Sequence, residues 1–211
     1  MELDILLERS DALHEALAEA VGDLDAVPAA ERATVTMDAL LLSHQHSTAL
    51  RLTLEADLGA SAIGLLRMQY EAVLRAVWAL FAADASDITA LAAPLTPGTL
   101  KAAKSLGLAA ELLTAIEKSQ APDDLKRSLR EFRTSSWDVL NSYIHAGIHP
   151  LRRVDGNAVH ELVTALKMSN GLAAISSALM VIVGQRSKRQ GDINVVCAGY
   201  QDCMPARHNG S

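Results

Sequence analysis

The amino-acid sequence predicts an all-α protein, an antiparallel bundle of about five long helices. Three observations point there. Apolar residues recur at helical spacing along most of the chain. Alternating β-branched runs are absent apart from Ile193-Asn194-Val195-Val196. Hydrophobic residues make up 50% of the 211 positions but aromatics only 3%, so the apolar mass is Ala and Leu, which lets helices approach closely.

Taken in order, Leu3, Leu6, Leu7, Leu13, Leu17 and Val21 mark a first helix, broken by Gly22 and Pro28. A second should run from about Ala30 to Asp57, with Gly59 ending it and Ser61 able to cap a third over Ala62 to Ala83. Ser86 to Gly98, with Pro94 and Pro97, reads as a linker. Thr99 to Ser119 reads as one or two short helices interrupted near Gly107. Pro122, Asp123 and Asp124 open a long helix reaching about Ala146, because early carboxylates complement the helix dipole; Gly147 and Pro150 stop it. The last long helix begins at Gly156-Asn157 and reaches about Gln185. Residues 1–185 form one domain in this reading, and residues 186–211 a loose tail.

Composition excludes several classes. A hydrophobic content of 50% rules out a disordered chain, and a net charge of -6 argues against a generic nucleic-acid coat. The acidic start, MELDILLERSD, lacks the features of a signal peptide, and the longest apolar stretch, Gly171 to Val183, suits a buried core helix better than a membrane span. Cys197 and Cys203 read as reduced thiols of a cytoplasmic protein. There is no phosphate-binding glycine loop, nucleophile elbow, His-Glu-x-x-His, EF-hand loop or di-iron carboxylate pattern, and the sequence calls for no cofactor and no metal.

Chemistry concentrates on two helices. The stretch AIGLLRMQYEAVLRAVWALFAA is apolar around nearly its whole circumference and is therefore buried. Arg67, Gln69, Glu71 and Arg75 interrupt it, and Arg67, Glu71 and Arg75 fall within roughly 80° of one another at 100° per residue. A buried charge needs a partner, so the stripe either forms an Arg-Glu-Arg ladder through its i,i+4 pairs or lines a pocket. On the later helix, Asp138, Asn141 and His145 share a face beside Trp137, Leu140 and Ile144. His145, among polar neighbours in an apolar segment, suits acid–base work or a hydrogen-bonded core role. With His149 it has the i,i+4 spacing of metal ligands, which Glu71 or His44 would have to complete. Of His44 and His46, one should be buried and one exposed; His14, His160 and His208 read as ordinary surface or tail residues. Basic clusters at Lys126/Arg127/Arg130/Arg133, Arg152/Arg153 and Arg186/Lys188/Arg189 either hold an RNA backbone or are solvated helix faces; Phe132 and Trp137 are the candidates for base stacking.

The combination of LLRMQYEAVLRAVWALF with WDVLNSYIHAGIHPLRR resembles a group of bacterial helical proteins and, through them, the HEPN superfamily. The resemblance implies a helical bundle, often dimeric, and in many members metal-independent ribonuclease activity in toxin–antitoxin and phage-defence systems, with an Arg-x(4–6)-His motif handling the ribose 2′-OH and the phosphate. Arg9–His14 and Arg153–His160 have that spacing; the positions five to seven before His145 are Leu140, Val139 and Asp138. The expectation is a homodimer acting on RNA, with His145 as acid–base group, Arg67 or Arg75 on the phosphate, Glu71 orienting the arginine and Asn141 as accessory donor, and with an antitoxin or defence partner. The alternatives are a non-catalytic interaction module built on a structural Arg-Glu-His network, and a small-molecule or metal site at Glu71, His145 and His149.

Overall fold

A computed structural model describes residues 3–23, 28–99, 107–185 and 189–206, and among them it is all-helical with no strand. The α-helices are α1 (Leu3–Val21), α2 (Glu31–Glu55), α3 (Gly59–Phe81), α4 (Ala85–Ala92), α5 (Ala109–Glu117), α6 (Asp123–Ile144), α7 (Ile148–Leu151), α8 (Val159–Val183) and α9 (Gln190–Gly199), followed by a 3-10 turn at Gln201–Cys203. Five of them, α1, α2, α3, α6 and α8, have 19 residues or more.

The central rod is α3, packed against α2, α5, α6 and α8. Leu66, Tyr70, Val73, Leu74, Ala76 and Val77 are at most 2% exposed and cover about half of the helix circumference, and the buried Trp78 and Ala79 extend the covered arc to roughly 260° at 100° per residue. The second hub, α8, meets α1, α2, α3 and α9. By length and composition α8 could cross a membrane, yet two thirds of its most apolar window is buried within the bundle.

Two helix ends differ from the sequence reading for one reason. At the end of α2, Asp57 has φ 59°, its N–H bonds the Leu54 carbonyl at 3.1 Å, and the Leu58 N–H reaches the Thr53 carbonyl at 2.8 Å. This is a Schellman stop with aspartate in the left-handed position. Gly59 is therefore not a stop but the first residue of α3. A Cβ there would lie 2.8 Å from Leu162 and 2.9 Å from Asn157, so glycine allows α3 to approach α8. The same motif ends α6: Ala146 has φ 49° and the Gly147 N–H meets the Ser142 carbonyl at 2.7 Å.

The presumed linker holds α4, whose N-cap Asp84 accepts from the Asp87 N–H at 2.9 Å. Residues 100–106, part of the expected short helices, lie outside the described residues. Residues 186–211 were read as a loose tail, and over 189–206 this is corrected. The run Ile193–Val196, the only strand-like pattern, is inside α9, and Ile193 and Cys203 are buried. Arg9 of α1 makes a two-pronged pair with Asp202, both contacts at 3.1 Å, and its guanidinium lies 4.3 Å from the Tyr200 ring centre. Asn170 of α8 donates to the Cys203 carbonyl at 2.9 Å. These contacts clasp the C-terminal segment to α1 and α8.

Candidate functional site

The site is the seam between α3 and α6. Arg67 reaches from α3 to Asn141 and Trp137 of α6, and its side chain is only 12% exposed. A guanidinium in that position must find acceptors. One Nη donates to Glu71 Oε1 at 2.9 Å, one turn along α3; the other donates to Asn141 Oδ1 on α6. The face of the guanidinium lies against Trp137, 4.0 Å from the ring centre. Its Nε–H is buried and has no hydrogen-bond partner. Glu71 is 43% exposed, so the pair reaches toward solvent on the carboxylate side.

Of the five predicted site residues, the structure thus brings together Arg67, Glu71 and Asn141. Arg75 lies one turn further along α3 in a different setting: its Nη2 donates to the Gly107 carbonyl at 3.3 Å, and its guanidinium is 5.3 Å from the Trp78 ring centre. Burial lowers its pKa, by desolvation of the cation. His145 is not inside the apolar helix. It is the C-cap of α6, exposed, with its backbone N–H on the Asn141 carbonyl at 3.2 Å. The Schellman stop at Ala146 turns the chain there and leaves the imidazole facing water one turn beyond Asn141.

His149 is exposed in α7, its ring 6.4 Å from that of Tyr143, whose hydroxyl accepts from Asn157 at 2.7 Å. The metal alternative is not assembled: among the described residues no group of three or more His, Cys, Asp or Glu is placed to hold an ion. The two Arg-x(4–6)-His pairs are each committed elsewhere. Arg9 serves Asp202, and Arg153 grips Glu161 at 2.6 Å, holding that carboxyl down to about 2.

The basic clusters are largely neutralised. Lys126 faces Asp123 at 3.6 Å, Arg127 pairs with Asp124, and Arg130 pairs with Glu117 at 2.7 Å. Arg186 and Lys188 lie outside the described residues, while Arg189 donates to the Ala20 carbonyl at 3.4 Å. Neither stacking candidate is open. Phe132 is stacked on Tyr70 at 4.3 Å, and two guanidiniums, those of Arg67 and Arg133, lie within 4.6 Å of the Trp137 ring centre.

Sequence reasoning missed a second polar cluster, where α1, α2 and α8 meet. His14 is not a surface residue. Its ring meets His44 edge to face at 6.2 Å, and the two Nε2 atoms lie 3.4 Å from the hydroxyls of Ser47 and Ser177. Ser47 pairs with Ser169, which donates to Gln69 at 2.7 Å; Arg51 donates to Asp11 at 2.7 Å. Desolvation, reinforced by the Arg51 charge, pushes His14 down to about 3 and His44 to about 4, so both imidazoles are neutral. His46 is the more open of the neighbouring pair, as expected.

Residues 40–206 match the profile of DUF6988, a family of unknown function. The chain belongs to that family. No curated protein and no solved structure matches it. The span matched to DUF6988 contains the Arg67–Glu71–Asn141 seam, His145 and Asp202 and Cys203 of the C-terminal clasp, while α1, with Arg9, precedes it.

Proposed function

We propose that this DUF6988 chain is an RNA-directed, HEPN-like helical protein of a cytoplasmic stress or phage-defence system, acting as a metal-independent ribonuclease. One arrangement supports the reading. Arg67 is held on three sides by Glu71, Asn141 and Trp137, and the exposed His145 lies one helical turn beyond Asn141. A fixed cation and a solvent-facing imidazole near the same end of α6 are what transesterification of RNA needs. The ribose 2′-oxygen attacks the adjacent phosphorus while His145 takes its proton. Charge accumulates on the non-bridging oxygens near Arg67. The P–O5′ bond then breaks, and the imidazolium returns its proton to the 5′-oxygen, leaving a 2′,3′-cyclic phosphate and a 5′-hydroxyl. Cleavage of total RNA in the presence of a chelator tests this. Wild type should cut, and His145→Ala should lose about 100-fold or more. Equal activity in both, or none in either, overturns the reading.

A second reading, a non-catalytic interaction module, is favoured by a specific fact: both Nη groups of Arg67 are already taken up by Glu71 and Asn141. In that case Glu71→Gln lowers the melting temperature by several degrees, at roughly 2–4 °C per kcal/mol for a chain of this size, and RNA is untouched.

Either reading includes a homodimer. Ile148, Leu151 and Val154, 65–78% exposed near the α6–α7 junction, are the surface we assign to it. Sedimentation of wild type as a monomer at micromolar concentration removes the dimer.

A further inference from the structure

We propose a site for a single phosphate group in a groove along α6 that shares the Trp137 ring with the α3–α6 seam, and the proposal is independent of the RNA reading. Among the described residues, ion pairs occupy Arg9, Arg51, Arg67, Lys126, Arg127, Arg130 and Arg153. Arg133 has no carboxylate. Its guanidinium is half-buried against Trp137, 4.6 Å from the ring centre, and its Nη1 is buried without a hydrogen-bond partner. A desolvated cation without a counter-charge is costly, and a bound anion offsets that cost.

Next to it opens a groove of about 500 Å³, lined by Leu113, Arg130, Arg133, Thr134, Trp137 and Asp138 among others. That volume is in the range of small-ligand clefts. Positions 130, 133, 134 and 137 share one face of α6 by their spacing of three and four. Glu117 takes the Nε–H of Arg130, leaving both Nη groups of that residue to a ligand. The exposed Arg130 and Thr134 and the half-buried Arg133 thus line one groove with cationic and hydroxyl donors, which suits a tetrahedral oxyanion better than a neutral molecule. Asp138 borders the same groove and repels further negative charge, so the site takes one phosphate, free or carried as a phosphomonoester, rather than a polyphosphate. Leu113 offers an apolar wall to the body of such an ester.

Titration calorimetry of the full chain with inorganic phosphate and with AMP tests the proposal. Saturable 1:1 binding of either probe supports it, with Arg133→Gln and Arg130→Gln each weakening binding about ten-fold or more and Arg133→Lys keeping part of it. A preference for inorganic phosphate identifies the free anion; a preference for AMP identifies a phosphomonoester. Asp138→Asn should admit pyrophosphate. Arg130 is exposed, so its variant folds even if the Arg133 variant does not. No heat from either probe at millimolar concentration overturns the site, as does unchanged affinity in Arg130→Gln together with a folded Arg133→Gln.

Discussion

The guanidinium of Arg67 lies 4.0 Å from the centre of the Trp137 ring, and this contact joins the central helix α3 to α6 at the point where the candidate site is built. Removing the ring takes away packing and a desolvated cation–π contact together. Trp137→Ala should cost about 3 kcal/mol, the lower part of the range for truncating a large aromatic, because Trp137 is only half-buried. Trp137→Phe keeps an aromatic face and should cost about 1 kcal/mol. Urea denaturation of the two variants separates the contributions. A Phe variant as unstable as the Ala variant would show that volume, not the π face, matters.

Acid should destabilise the fold through His14 and His44. Their folded values of about 3 and about 4 lie below the 6.5 of an unfolded imidazole, so between these limits the unfolded chain binds more protons. Stability is therefore full above about pH 6.5 and falls as pH drops, through about 4 for His44 and about 3 for His14. At pH 5 each histidine withdraws up to about 2 kcal/mol. Glu161, held down by Arg153, acts in a lower window: its contribution is present above about 4.5 and is lost as pH falls toward about 2. Denaturant midpoints at pH 7.5 and pH 5 should differ clearly in wild type and much less in a His14→Gln/His44→Gln double variant. Equal slopes in both would refute the assignment.

Much of this was legible in the residues. The apolar circumference of α3 announced its burial, and the polar positions on α3 and α6 marked the faces that meet as Arg67 and Asn141. Two things were not legible. The helix end at His145 depends on a left-handed Ala146, where glycine is the usual sign, and so the imidazole was placed inside the helix when it caps it. The burial of His14 depends on what faces it. Serines at 47, 169 and 177 on two other helices make a polar interior that no single helix period reveals, and the 3-10 turn after α9 likewise docks through distant partners, Arg9 with Asp202 and Asn170 with Cys203.

Gln69 should hold α3 to α8 through its pair with Ser169. It is fully buried, donates to the Ser169 carbonyl at 3.0 Å and accepts from the Ser169 hydroxyl at 2.7 Å, so α3 and α8 are tied at one point. Ser169→Ala leaves the Gln69 carbonyl oxygen without its donor and should cost about 1–3 kcal/mol. Gln69→Leu with Ser169→Ala removes both polar ends and should recover part of the loss, as a double-mutant cycle in urea would read. Additive costs would mean that the two side chains act separately.

Gly171→Ala should loosen the C-terminal clasp although alanine is the better helix former. In a free helix the change gains about 1 kcal/mol. Here a Cβ would lie 2.9 Å from Pro205 Cγ and 3.2 Å from its Cδ, and a proline ring cannot rotate away. The segment after α9 must shift, which pulls on the neighbouring Asn170 bond to Cys203 and on the Arg9–Asp202 pair. The buried Cys203 thiol, kept above its ordinary value by desolvation, becomes accessible as the segment moves. Thiol labelling under native conditions should therefore accelerate about ten-fold or more in Gly171→Ala, which corresponds to roughly 1.4 kcal/mol of local opening. Arg9→Ala, which releases the same segment from the α1 side, should give a similar acceleration, whereas Arg130→Gln on α6 should give none. Labelling as slow in Gly171→Ala as in wild type would mean that Pro205 yields without disturbing the clasp.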